Sequence, residues 1–145
     1  MRCIFCDLLT GKTEATFVYR DDQVAAFMDI QPVNPGHLLV VPNVHGVYLA
    51  DVEPDVGARI FVVAQRLAAA IRACGVRCEG VNFFLADGVA AGQEIFHADL
   101  HVFPRFEGDG FGLQHPPNYS FLPSRAALDS IANSIRGALV HNHVA

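Results

Sequence analysis

The stretch Gly92-Gln93-Glu94-Ile95-Phe96-His97-Ala98-Asp99-Leu100-His101-Val102-Phe103-Pro104-Arg105 decides how the rest of the chain is read. Side chains alternate between faces along a strand. If Gln93–Phe103 is one strand stopped by Pro104, then His97, Asp99 and His101 share one face. Ala98, Leu100 and Val102 take the other and supply core contacts. Three ionisable groups are costly to bury together without a ligand or partners. The segment therefore reads either as a site on a sheet surface or as a half-solvated strand with idle histidines. A helical reading would set His97 and His101 at i and i+4 for a shared metal. Pro104 and the Val-Phe pair favour strand instead, on which those two side chains stand about 13 Å apart.

Working outward, Thr16–Tyr19 and Gln23–Asp29 read as strands turned by Arg20-Asp21-Asp22. Pro32, Asn34, Pro35 and Gly36 mark a loop, followed by a buried strand over His37–Val41 that Pro42 closes. Ile60, Val63, Leu67, Ile71 and Cys74 recur at helical spacing, predicting a long helix from about Glu53 to Cys74, with Pro54 in its first turn and Gly75 at its end. Gly80–Asp87 reads as a strand, and Gly88–Gly92 as a Gly/Ala-rich turn. The Phe106–Pro123 loop is longer than an idle connection usually is, which places it over a site or an interface. Ser124 caps a last amphipathic helix through Leu128, Ile131, Ile135 and Leu139. The pattern predicts one α+β domain over 1–145, with a largely antiparallel sheet, a core over 3–105, a loop and helix over 106–140 and a frayed tail over 141–145.

Composition narrows the function. The chain has 145 residues, 52% of them hydrophobic and 17% charged, with a net charge of −5. Such a chain can bury a proper core. Its scattered Lys and Arg argue against polymeric nucleic acid as a partner. Its most apolar window, near Ile60–Ala73, is broken by Gln65, Arg66 and Arg72, which argues against a membrane span. MRCIFCDLLTGK has no long apolar core of a signal peptide, so a cytoplasmic location is expected. The 4 cysteines then point to a metal or spare thiols, not a disulfide framework. Cys3 and Cys6 form a C-x-x-C pair, whereas Cys74 and Cys78, flanking the long helix's end, read as ordinary small residues.

Gly92–Arg105 closely resembles the signature of the histidine triad (HIT) family, G-Q-x-x-x-H-φ-H-φ-H-φ-φ followed by P-R. Cys3-Ile4-Phe5-Cys6, Ala26-Phe27-Met28-Asp29-Ile30, and Pro35-Gly36-His37-Leu38-Leu39-Val40-Val41-Pro42 followed by His45 match in order and spacing. The resemblance implies a HIT-like fold, a homodimer, and a hydrolase or transferase acting on purine nucleotides or their conjugates, such as nucleoside phosphoramidates or dinucleoside polyphosphates. In such proteins the middle histidine attacks the α-phosphate, forming a nucleotidyl-histidine that water resolves. Asp99 stands at that nucleophile position. A carboxylate there repels an anionic phosphate, so impaired turnover is expected, leaving either a weakened hydrolase or a nucleotide-binding module.

By the same resemblance His101 would hydrogen-bond the phosphate, with His97 the first triad histidine and His37 behind the triad. Asp29 would accept the ribose hydroxyls, Phe27 and Ile30 would flank the base, and Gly92, Gln93 and Glu94 would lie in the turn that reaches the phosphates. Ala86 stands where the family often has Asn. Some members carry a structural zinc (Zn2+), for which Cys3, Cys6, His45 and His97 would be the ligands; two thiolates and two imidazoles make a closed tetrahedral set.

Overall fold

The computed structural model describes residues 3–141. The central feature is a five-stranded sheet in the order β1-β2-β3-β5-β4, in which every neighbouring pair is antiparallel. Its strands are β1 (Phe17–Arg20), β2 (Val24–Met28), β3 (Leu38–Pro42), β4 (Gly80–Phe84) and β5 (Leu100–Arg105), joined by helices α1 (Ile4–Leu9) and α2 (Pro54–Ala73). The strands from Thr16 to Pro42 fall within a residue or two of expectation, and α2 does the same. Pro54 opens α2 without losing a bonded N–H, and Gly75 takes the positive φ just past its end.

Most of β2 and β3 is covered on both faces, which explains why they are apolar at nearly every position rather than alternating. Val24, Ala26, Val40, Leu100 and Val102 pack against Ile60, Val63, Ala64 and Ile71 of α2. On the opposite face Ala25, Phe27, Leu39 and Val41 meet Phe5 and Leu9 of α1, an element the sequence reading did not anticipate. Helix α1 covers only part of that face. The remainder, around Asp29, His37 and His101, opens into a cleft.

Three expectations are corrected. The strand expected over Gln93–Phe103 begins only at Leu100, because Gln93–Asp99 is irregular, with a bend over Ile95–His97. His97 and Asp99 therefore do not share a strand face with His101. Nor does Pro104 stop the strand, which continues to Arg105. Pro104 lies beyond Val102, the last β5 residue paired with β3, and its carbonyl is taken by the Asn34 side chain. Its missing N–H thus costs no ladder bond. The strand expected over Gly80–Asp87 likewise ends earlier, at Phe84.

Among the described residues the chain forms two compact units, one up to Phe111 and one from Gly112 onward. The second contains helix α3 (Arg125–His141). The Ser124 hydroxyl accepts the Ala127 N–H at 3.2 Å, capping α3 as expected. Of the expected tail, His141 belongs to α3 and 142–145 lie outside the described residues. No helix among the described residues is long and apolar enough to cross a membrane.

Candidate functional site

Register across the sheet builds the site. Asp29 follows β2 and His37 precedes β3, and the Asp29 N–H donates to the His37 carbonyl at 3.1 Å. Leu39, two residues after His37 and so on the same face, pairs with His101 of β5. Asp29, His37 and His101 therefore converge, and Asp99 reaches them from the segment leading into β5.

Their hydrogen bonds form a directed chain. The Val33 N–H donates to His37 Nδ1 at 3.0 Å, so the proton of a neutral His37 sits on Nε2. That nitrogen lies 2.9 Å from His101 Nδ1, which must then accept. His101 Nε2–H in turn donates to Asp99 Oδ2 at 2.8 Å. His37 is buried, and burial is the main cause that holds it below the ordinary imidazole range; Asp29 opposes this and His101 adds to it. Asp29 Oδ2 stands 3.4 Å from His37 Nε2 and 3.7 Å from His101 Nδ1, beyond good hydrogen-bond length, while its Oδ1 accepts the Gln31 N–H at 2.7 Å. Asp29, His37 and His101 are close enough to hold a metal. The proton that Val33 forces onto His37 Nε2 makes the trio a proton chain instead.

These groups line a cleft of about 770 Å³. Phe27, Asp29, Ile30, Gly92, Gln93, Glu94, Asp99, His37 and His101, each named from sequence, all contribute to its wall, as does Ala86. Phe27 doubles as core: it is buried and packs edge-on against Phe5 and Phe17. Ile30 is almost wholly exposed at the rim. Sequence reasoning missed Phe84, Phe103 and Phe111 in the wall, although the long loop after Phe106 was expected over a site. Phe111 is held by Asp109, whose carboxylate takes the N–H of Phe111, the Asn34 amide and the Arg105 guanidinium. Arg105 beside it pulls the Asp109 carboxyl well below the usual range.

His97 faces elsewhere, fully buried and outside the cleft wall. Its Nε2–H donates to the Pro42 carbonyl at 2.9 Å, leaving Nδ1 with a bare lone pair. Burial, chiefly, keeps the ring below its ordinary pKa and so neutral. Nδ1 points at a cluster formed by Cys3 and Cys6 of the α1 region and His45 of the loop after β3. Its distances are 3.4 Å to Cys3 Sγ, 3.7 Å to Cys6 Sγ and 3.4 Å to His45 Nδ1, with Cys6 Sγ to His45 Nδ1 at 3.5 Å. A tetrahedral zinc with bonds of about 2.0–2.3 Å requires ligand separations of roughly 3.3–3.8 Å. The four residues therefore fit zinc in number, chemistry and spacing. By contrast, Cys74 and Cys78 each spend their thiol on a nearby carbonyl.

Comparison with known proteins agrees with this geometry. The HIT domain family model matches residues 10–108. An uncharacterized HIT-like protein of Borreliella burgdorferi is 38% identical over 113 residues, covering 77% of this chain and 81% of the relative. A crystal structure of a HIT family protein from Bacillus anthracis superposes with a TM-score of 0.85 at 36% identity, covering 94% of this chain and 96% of the other. A Zn-bound histidine triad family protein from Mycobacterium smegmatis gives a TM-score of 0.73 at 37% identity, covering 92% and 98%.

Proposed function

The chain belongs to the HIT domain family, and from that premise we propose that its cleft binds the nucleoside part of a nucleotide or nucleotide conjugate, with phosphohydrolase or nucleotidyl-transfer activity impaired at Asp99. The observation that carries the reading is Asp99 Oδ2, 2.8 Å from His101 Nε2, on the wall of a cleft that also holds Asp29, His37 and Phe27.

A neutral imidazole at position 99 would be a nucleophile near pH 7. A carboxylate there meets an anionic phosphate with like charge. At about 4 Å and an effective dielectric near 20 the repulsion is roughly 4 kcal/mol, on the order of a thousandfold in rate. The shorter side chain is also displaced from the position an imidazole would fill. Phe27 and Ile30 would flank the base and Asp29 Oδ2 would accept ribose hydroxyls, while His37 holds His101 in one tautomer. The alternative is a binding module with no turnover.

Cys3, Cys6, His45 and His97 would hold a structural zinc, which ties α1 to the segment leading into β5; the zinc-bound relative and the ligand spacing support it. A homodimer fits the exposed edge strand β4, which presents Phe83 to solvent. A cytoplasmic location is the matching expectation for a chain with reduced thiols at a metal site.

The test is hydrolysis of a fluorogenic adenosine phosphoramidate by this chain and by Asp99→His. Turnover at least about a hundredfold faster in the variant supports the reading. Equal turnover would mean that Asp99 or a neighbour performs the attack. Inactivity in both, with the variant folded, would leave the binding module.

A further inference from the structure

The Cys3, Cys6, His45 and His97 cluster lies outside the cleft wall, yet two of the segments it joins run on into that wall. Ile4, Phe5 and Leu8 of α1, interleaved with Cys3 and Cys6, line the cleft. So do Glu94 and Ile95, which lead to His97. Phe5 stands between the two places. Its ring packs edge-on against His97 with centroids 5.8 Å apart, and against Phe27 of the cleft at 5.3 Å.

Helix α1 has little of its own to hold this position. Its 6 residues are too few for a helix to persist in water by itself. The Arg20 guanidinium fastens its C-terminal end by donating to the Leu9 carbonyl. At the other end Cys3 makes no side-chain cap. The two thiols meet the imidazoles at 3.4 to 3.7 Å, where a thiol is a weak partner. A zinc ion held by the four residues would replace these contacts with coordination bonds. Two thiolates cancel its charge and the imidazoles are neutral, so the loaded site has no net charge to offer a phosphate. Its influence on the cleft therefore runs through the position of α1 and Ile95.

We propose that metal occupancy at Cys3, Cys6, His45 and His97 sets the affinity of the cleft for a nucleoside, by fixing Ile4, Phe5 and Leu8 in its wall. The inference rests on the nucleoside and zinc readings given above, and adds that the two sites are coupled. Such coupling is reciprocal: the factor by which zinc tightens nucleoside binding is the factor by which a bound nucleoside tightens zinc.

Calorimetry on the full chain at pH 7.5 tests it, with adenosine and AMP as probes of zinc-loaded protein and of protein stripped by chelator. Both probes should bind about tenfold tighter to the loaded protein, within the usual range for coupled sites. The gain should be equal for the two, because the loaded site is neutral. Saturating adenosine should raise zinc affinity, read by chelator competition, by the same factor. His45→Ala removes an exposed ligand outside α1, and should bind adenosine as the stripped protein does. Ile4→Ala combined with Leu8→Ala should keep zinc, while the gain for adenosine falls below about threefold.

Equal adenosine affinity in folded protein with and without zinc overturns the inference and leaves both sites standing. A gain confined to AMP overturns it as well, because the ion would then act through charge. An undiminished gain in the folded double variant does the same, because the wall of α1 would not carry it. If stripped protein and His45→Ala are both unfolded, the metal holds the whole fold and the inference falls. If neither probe binds the loaded protein the nucleoside reading fails, and if zinc does not bind the zinc reading fails; the inference falls with either.

Discussion

His37 Nε2 lies 2.9 Å from His101 Nδ1, and a single proton serves both rings. The Val33 N–H settles which ring owns it, by occupying His37 Nδ1. Charging His37 would break this chain at its buried end. Because burial lowers the folded-state pKa of His37, the folded state binds fewer protons than the unfolded state, in which a histidine titrates near about 6.5. Stability is therefore whole above that value and is lost as pH falls below it. Thermal melts should show a lower midpoint at pH 5.5 than at pH 7.5, with a smaller drop in His37→Asn. An equal drop in both would place the sensitivity in another group.

The chain of donors also makes a spectroscopic prediction. Nitrogen NMR at pH 7.5 should find both His37 and His101 as Nε2–H tautomers. In Asp99→Ala both preferences should persist, because Val33 still fixes His37 and the His37 Nε2–H still occupies His101 Nδ1. An Nδ1–H His37 would invalidate the direction assigned here.

Zinc should copurify at close to one equivalent, and a content below about a fifth in protein never exposed to chelator would rule out a resident ion. Cys6→Ser should lose the metal and lower the melting midpoint by roughly 10 °C, as expected for a few kcal/mol in a domain of this size. Burial, with Cys3 beside it, pushes the Cys6 thiol upward, so metal uptake by apo protein should release protons and weaken steeply as pH falls.

Phe27 carries both core and cleft. Phe27→Ala should cost about 3–5 kcal/mol in denaturant unfolding, because Phe5, Phe17 and Leu39 would be left facing a cavity. A cost under about 1 kcal/mol would show that α1 closes over the gap.

Asp109→Asn should affect both the cleft and the fold. It weakens the carboxylate's hold on Arg105 and on the backbone at Phe111, which forms part of the cleft wall. Nucleoside affinity should fall severalfold and the melting midpoint should drop by several degrees, because the carboxylate that Arg105 holds ionised contributes to stability at neutral pH; an unchanged midpoint or an unchanged affinity would contradict this.

The composition and local patterns of the chain were sufficient for the strands from Thr16 to Pro42, for α2 and for the Ser124 cap, because each rests on turn residues and periodicity within its own segment. They also grouped Cys3, Cys6, His45 and His97, which the fold brings together, through a resemblance whose order and spacing persist along the chain. What they could not supply was the division of labour within His97-Ala98-Asp99-Leu100-His101. Read as a strand, these residues share a face; in the fold, the bends before Leu100 turn His97 toward Pro42 and the thiols and leave Asp99 with His101. That outcome depends on contacts far away in sequence, such as the Ala98 N–H bonding the Gly46 carbonyl at 2.7 Å, which no alternation pattern encodes. Helix α1 is too short to be stable by itself and exists by packing Phe5 and Leu9 on the sheet. The residue types thus determined which chemistry the chain could hold, and tertiary packing decided which nitrogen faces the Cys3, Cys6 and His45 cluster and which faces the cleft.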